Sequence, residues 1–123
     1  MTHPISLAHL TVIDLAPPRM IRLAADLGYD AVGLRLIRVT PDTPDFDPAA
    51  LTGFLEVGAD LGARQVICAP YDPDLSRLAD NLARMAAACR AHGLQAVLEF
   101  FPWTPVPDLA TLLPPWVAVA TAA

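Results

Sequence analysis

Glu99 is the residue whose type and position point most directly to chemistry. It stands near the end of an apolar, strand-like run that extends from Gly93 to Trp103. A charge inside a buried strand carries a desolvation cost unless a partner offsets it. Metal ligation or acid–base chemistry is a common reason to keep a carboxylate in such a place. The alternative is a carboxylate that has emerged into solvent at the strand end.

Other polar residues fall at the predicted carboxyl ends of strands, where ligands of parallel sheets bind. They are His9, Asp14, Arg35, Arg38 and Asp72. Asp72 precedes a proline and is expected to be the N-cap of a helix, and Asp14 is expected to cap the first helix. Their convergence with Glu99 at one edge of a sheet is a hypothesis.

Three of the candidates have a second interpretation. His9 is either a hydrogen-bonded core histidine or a site residue. Arg35, counted from the preceding glycine, has the opposite parity to Glu99, so a regular strand would direct it toward the helix layer. Trp103 is either a packing lid over the sheet end or a ring on which a sugar stacks.

A repeated ending positions these residues along the chain. Gly28, Gly62 and Gly93 each close a helical pattern, and a valine opens an apolar run four positions later. Glycine is favoured just past a helix end because it adopts the left-handed conformation. Gly62 lies 34 residues after Gly28, and Gly93 lies 31 residues after Gly62. That spacing is the size of one strand–helix unit of a parallel sheet.

The patterns predict alternating strands and helices within one domain, residues 1–123. Alternation of this kind is typical of α/β proteins with a parallel sheet covered by helices. The predicted strands are Ser6–Ile13, Ala31–Ile37, Gln65–Ala69, Ala96–Phe101 and Trp116–Ala120. The predicted helices are Pro18–Leu27, Pro48–Leu61, Pro73–Ala91 and Pro107–Leu113.

Composition excludes several classes of function. The formal net charge is -5 and no Lys/Arg cluster occurs, which argues against nucleic-acid binding. Cys68 and Cys89 do not form a disulfide framework and are expected to be small buried hydrophobic residues. Neither a secretory signal nor a membrane span is indicated, so a cytoplasmic location is expected. Dinucleotide-binding, Walker-type and zinc-protease motifs are missing.

The chain resembles the sugar phosphate isomerase/epimerase group, the xylose isomerase-like TIM barrels. Three stretches carry the likeness: Leu23–Arg35, Leu61–Ile67 and His92–Trp103. The resemblance implies a parallel (β/α) repeat, a partial TIM barrel of about four to five strand–helix units. A full barrel needs about 250 residues, so the resemblance implies that these 123 residues are a truncated barrel.

The resemblance also implies a site. Glu99 would be a ligand of a divalent metal (Mn, Mg, Zn or Co), and His9, Arg35 and Trp103 would bind a small sugar or sugar phosphate. The reaction would be metal-assisted proton transfer next to a sugar carbonyl. The other metal ligands of the group come from later strands and have no counterpart in this chain, so activity is expected to be impaired and no metal need bind.

Two other functions stay open. One is a non-catalytic barrel remnant or assembly fragment. An incomplete barrel leaves strand edges and an apolar face uncovered, and a homodimer would cover them and bring together two copies of Glu99. The other is a flavodoxin-like open sheet that binds a small phosphorylated ligand.

Overall fold

The structure is a computed structural model that describes residues 3–34 and 46–111. The chain divides into two compact units, the N-terminal unit (Met1–Arg38) and the C-terminal unit (Val39–Ala123). Both units combine helices with short parallel strands. This confirms the predicted α/β class, while the single domain over residues 1–123 stays a prediction.

The N-terminal unit is built around one parallel strand pair. Strand β1 (Ser6–Ala8) pairs with β2 (Ala31–Gly33), with Leu7 opposite Val32. Helix α1 (Pro17–Asp26) connects the two strands. The core is small and consists of three buried side chains with a partly buried apolar rim; the buried ones are Leu7, Met20 and Ala24.

The predicted first strand, Ser6–Ile13, is too long. Strand β1 ends at Ala8, and a 3-10 helix follows at His9–Val12. The His9 ring explains the change of direction, because its Nε2 lies 2.9 Å from the carbonyl oxygen of Leu15. This contact bridges the turn that leads into α1. The predicted cap at Asp14 is also wrong, because the N-cap of α1 is Ala16 and has no side-chain hydrogen bond.

The C-terminal unit repeats the same plan with longer elements. A 3-10 turn at Pro48–Leu51 leads into α2 (Thr52–Asp60), and Asp47 caps the turn by accepting a hydrogen bond from the Ala49 N–H. Strand β3 (Gln65–Cys68) pairs in parallel with β4 (Gln95–Leu98), and α3 (Leu75–Ala91) connects them.

One face of the β3–β4 pair is covered by helices. Its core contains six buried side chains from both helices, from β3 and from the residue before β4: Leu55, Val66, Cys68, Met85, Cys89 and Leu94. Leu78, Met85 and Cys89 recur at helical spacing in the sequence; they form one apolar stripe of α3 and are fully buried. Ile67 lies on the other face of β3 and is 59% exposed.

The three predicted glycine caps are confirmed. Gly28, Gly62 and Gly93 have φ values of 77°, 75° and 73°, and no other residue of the described ranges has a positive φ. The residue after each glycine donates its N–H to a carbonyl five residues earlier, as in a Schellman motif. Each cap therefore turns the chain from a helix into the next strand.

Alanine substitution should lower the stability at a capping glycine and raise it at a glycine within a helix. No neighbouring atom lies within 4 Å of the point that a Cβ would occupy at Gly62, so Gly62→Ala adds only the cost of a left-handed alanine. We expect a loss of about 1–2 kcal/mol in the free energy of unfolding. Gly53 lies within α2 with equally open space, and Gly53→Ala should instead stabilise by about 0.5–1 kcal/mol.

Urea unfolding followed by circular dichroism measures both variants. Equal effects of the same sign would contradict the assigned backbone conformations.

Some predicted elements lie outside the described residues. These are the strand Trp116–Ala120, the end of the strand Ala31–Ile37 and the end of the helix Pro107–Leu113. Within residues 3–34 and 46–111, no helix has the length and apolar character that crossing a membrane requires.

Candidate functional site

Glu99 lies immediately after β4, at the carboxyl edge of the β3–β4 pair. Its N–H donates a 2.9 Å hydrogen bond to the carbonyl oxygen of Cys68, the last residue of β3. The parallel ladder therefore continues to Glu99, and the backbone there is held by the neighbouring strand. The side chain itself is exposed.

Strand alternation determines the face on which Glu99 lies. Leu98 packs against the helix-covered core, and its partner Cys68 is part of that core. Side chains alternate between the two faces of a strand, so Glu99 lies on the opposite face, with Val97 and its partner Ile67. We call this the open face, defined by Ile67, Val97 and Glu99; none of the three belongs to the described helix-covered core, and Ile67 is 59% exposed.

An aromatic pair follows Glu99 along the chain. The rings of Phe101 and Trp103 are stacked, with centroids 5.2 Å apart and an angle of 17° between their planes. Phe101 is half-buried, whereas Trp103 is 73% exposed. Because Phe101 supports the indole ring from one side, a large apolar surface is presented to solvent four residues after Glu99 in the chain.

A hydrogen-bonded turn holds this pair in place. The Thr104 N–H donates to the carbonyl oxygen of Phe101 at 3.0 Å. The Thr104 hydroxyl lies 2.9 Å from the same oxygen and 3.0 Å from the carbonyl oxygen of Val106. Thr104 is buried and Val106 is fully buried, so the turn is anchored on both sides of its polar contacts. The turn therefore holds the backbone at Trp103, and the indole ring itself is held by its stacking on Phe101.

A buried ion pair lies in the segment that follows β3 at the same edge. Asp72 has no exposed surface, and Arg77 donates two hydrogen bonds to it, Nε to Oδ2 at 2.7 Å and Nη2 to Oδ1 at 2.6 Å. The Asp74 N–H donates to the same Oδ1 at 2.9 Å. The hydrogen bond from Arg77 holds the pKa of Asp72 below its ordinary value.

The prediction that Asp72 is the N-cap is therefore wrong. Asp74 caps α3, because its Oδ1 accepts the N–H groups of Ser76 and Arg77 at 3.1 Å. The Asp72–Pro73 pattern is typical of a helix start, but Asp74, two residues after Asp72, is the residue that occupies the cap position. The partner of Asp72 is five residues away, and that spacing is not a capping signal.

Neutralising Asp72 should weaken the fold in a pH-dependent way. Asp72→Asn places an NH₂ group among the donors of Arg77 and removes the charge. We expect a loss of about 1–2 kcal/mol at neutral pH, reduced from a fully buried pair because Arg77 is partly exposed. The folded-state pKa is depressed, so this stabilisation is present above about pH 4 and is lost as the pH falls through the folded-state value.

Urea unfolding of both proteins at neutral and acidic pH measures the difference. Asp80→Asn changes an exposed residue of α3, the helix that carries Arg77. It is the matched control and should change the free energy of unfolding little. A difference between Asp72→Asn and the parent protein that grows with acidity would contradict the ion pair.

The two cysteines are buried, as the sequence predicts. Cys68 and Cys89 are free, fully buried and part of the same core. Burial raises the pKa of the Cys68 thiol to about 12 and also raises that of Cys89. Since the thiolate is the reactive form, neither side chain is suited to act as a nucleophile.

The described residues do not fit a divalent metal. Such an ion requires several oxygen or nitrogen ligands around one point. In residues 3–34 and 46–111, no three His, Cys, Asp or Glu side chains are grouped so that they could hold a metal ion. Glu99 as a metal ligand therefore stays a prediction, and no chemical step is derived through a metal.

The structure describes two of the other predicted site residues and omits one. His9 is 5% exposed within the N-terminal unit and contacts the Leu15 carbonyl, as a hydrogen-bonded core histidine would. Arg35 lies outside the described residues. Glu99 and Trp103 lie in one unit, on consecutive segments of the carboxyl edge. Sequence reasoning missed Phe101 as the support of Trp103, although their spacing of two residues was a signal.

Comparisons with known proteins add no relative to this description. Neither a protein-family model, nor a curated protein, nor a solved structure matches the chain.

Proposed function

We propose that the C-terminal unit binds a small sugar at the carboxyl edge of β4, as a sugar-binding part of a xylose isomerase-like partial TIM barrel. The observation that carries the proposal is the exposed Trp103 ring, stacked on Phe101 and four residues after the Glu99 carboxylate. This edge of a parallel strand pair is where α/β proteins bind ligands.

The two parts of the edge suit the two parts of a sugar. The apolar C–H face of a pyranose or furanose ring packs on the free face of Trp103. The hydroxyl groups are donors, and a carboxylate such as Glu99 is a strong acceptor for them. Because the Thr104 turn holds the backbone and Phe101 stacks on the indole ring, the conformational entropy lost when the sugar binds is reduced.

The arrangement of strands and helices supports the barrel interpretation. In both units a helix connects two parallel strands, and the described core of the C-terminal unit lies on one face of its strand pair. In a barrel, β2 adjoins β3; in a flavodoxin-like sheet, β1 adjoins β3. The strand pairs within each unit occur in both arrangements, so the open face and the aromatic edge are what favour the barrel.

The proposal is limited to binding. The resemblance implies metal-assisted proton transfer next to a sugar carbonyl, but the described residues do not supply the ligands for a metal. Turnover as an isomerase or epimerase therefore requires groups beyond those that the described residues bring together.

Sugar binding can be followed through Trp103 itself. The chain has two tryptophans, so Trp116→Phe leaves Trp103 as the single indole reporter. We expect D-xylose to cause a saturable change in its fluorescence, since stacking a sugar on the exposed ring removes water from it.

Calorimetry of two variants tests whether D-xylose binds at Trp103. Trp103→Ala should weaken D-xylose binding about two- to tenfold, the loss of one aromatic stacking contact. Phe100→Ala is the matched control, because Phe100 is an exposed aromatic residue of the same segment outside the stacked pair. Equal losses in both variants, or no saturable signal in the reporter protein, would overturn the proposal.

A second candidate function is assembly with another copy of the chain. The open face carries Ile67, which is 59% exposed, opposite its register partner Val97. Exposed apolar sheet faces mark association sites. A homodimer through this face would be non-catalytic in the absence of further ligands.

Light scattering after size exclusion tests the assembly. If the open face mediates a dimer, Ile67→Lys should shift the mass from dimer to monomer because a buried, unpaired charge opposes association. Val57→Lys changes an equally exposed residue of α2, 54% exposed, and should leave the mass unchanged. A parent protein that is monomeric at every concentration would remove this candidate.

A further inference from the structure

The charge and capping of the C-terminal unit bear on which sugar the proposed site accepts. Phosphate groups are bound in α/β proteins by free N–H groups at helix N-termini and by arginine side chains. A sugar phosphate therefore needs at least one of these two elements at the carboxyl edge of the sheet.

The N-terminus of α3 is already closed by carboxylates. Asp74 Oδ1 accepts the N–H groups of Ser76 and Arg77, both at 3.1 Å, and the Asp74 N–H donates to Asp72 at 2.9 Å. A phosphate at this helix end would have to displace a side chain that carries its own negative charge. The N-terminus of α3 therefore repels phosphate, although helix N-termini commonly bind phosphate.

The other helical starts in the described part of the C-terminal unit are closed as well. Asp47 caps the turn before α2 by accepting the Ala49 N–H at 3.0 Å, and Asp108 accepts the Thr111 N–H at 2.8 Å. Helix α1 begins with Pro17 and Pro18, which have no N–H to offer. None of these starts presents a free anion-binding backbone.

The arginines of the C-terminal unit are equally committed or distant. Arg77, in the first turn of α3, donates two hydrogen bonds to Asp72. Its Nη1 also lies 3.6 Å from Asp74 Oδ2. Arg84 donates to Asn81, midway along α3. Arg64 precedes β3 and Arg90 lies in the last turn of α3, so both lie toward the amino edge of the strands.

We infer that this site selects an uncharged sugar and discriminates against its phosphate ester. The stacked Trp103 and the Glu99 carboxylate supply contacts to a neutral ring and its hydroxyl groups. The described residues of the C-terminal unit at the same edge carry acidic side chains, and Arg77 is paired with Asp72 there. This inference rests on the proposed sugar-binding function and narrows its ligand class.

Calorimetry with D-ribose and D-ribose 5-phosphate tests the selectivity directly. D-Ribose 5-phosphate is confined to the furanose ring because its O5 carries the phosphate, whereas free D-ribose is mainly a pyranose. The salt dependence of the affinity ratio, and not the ratio itself, therefore isolates the effect of charge. We expect D-ribose to bind at least about tenfold more tightly at low salt, and we expect the ratio to shrink as salt screens the repulsion. Inorganic phosphate alone should show no binding.

A charge-removing variant identifies the source of the repulsion. Asp74→Asn removes one negative charge and keeps a side chain that caps helices equally well. It should narrow the affinity ratio about two- to threefold, with the affinity for D-ribose unchanged. Asp60→Asn removes the same charge at the end of α2, toward the amino edge, and should leave the ratio unchanged.

The outcomes separate this inference from the proposed function. Tighter or equal binding of D-ribose 5-phosphate overturns the inference and leaves sugar binding in place. Binding of neither ligand overturns both. Equal narrowing of the ratio by Asp74→Asn and Asp60→Asn assigns the repulsion to net charge and overturns the role given to the edge.

Discussion

The parallel pairing of β3 with β4 is the constraint on which the rest of the C-terminal unit depends. The pairing places Val66 and Cys68 beside Ala96 and Leu98, and these side chains fill the space beneath the helices. Because strand side chains alternate, burying this set leaves the intervening set on the other face. A shift of one residue in the register would bury Glu99 and expose the core, so the apolar side chains themselves oppose it.

The site is a consequence of that pairing and of the turn that follows. The hydrogen bond from the Glu99 N–H to Cys68 ends the ladder, and the chain then folds back through the Phe101–Thr104 turn. Burial of Thr104 and Val106 fixes the turn, while Trp103 is left 73% exposed. Stacking on Phe101 removes one face of the Trp103 ring from water. The other face of the ring is available for a ligand.

The sequence predicted the periodic features well and the isolated polar contacts poorly. The glycine caps, the parallel strands and the stripe of α3 follow from local patterns that recur along the chain, so one interpretation accounted for all of them. The ion pair between Asp72 and Arg77 depends on how a single loop turns, which no periodicity encodes. The early end of β1 was missed for the same reason. It depends on one contact, between the His9 ring and the Leu15 carbonyl, that no periodic pattern indicates.

The candidate site was predictable in part for similar reasons. Glu99 and Trp103 were recognisable because a carboxylate and an indole are unusual at the end of an apolar strand. Phe101 was missed despite its spacing of two residues from Trp103, since an aromatic residue in an apolar run is typically part of the core. The choice between neutral and phosphorylated ligands required the hydrogen-bond partners of Asp74 and Arg77, which composition cannot supply.

Nuclear magnetic resonance measurement of scalar coupling across hydrogen bonds tests the pairing most directly. The account predicts a coupling between the amide nitrogen of Glu99 and the carbonyl carbon of Cys68, together with slow exchange of that amide. Coupling of the Glu99 amide to any other carbonyl, or rapid exchange with no coupling, would contradict the register that places the carboxylate on the open face.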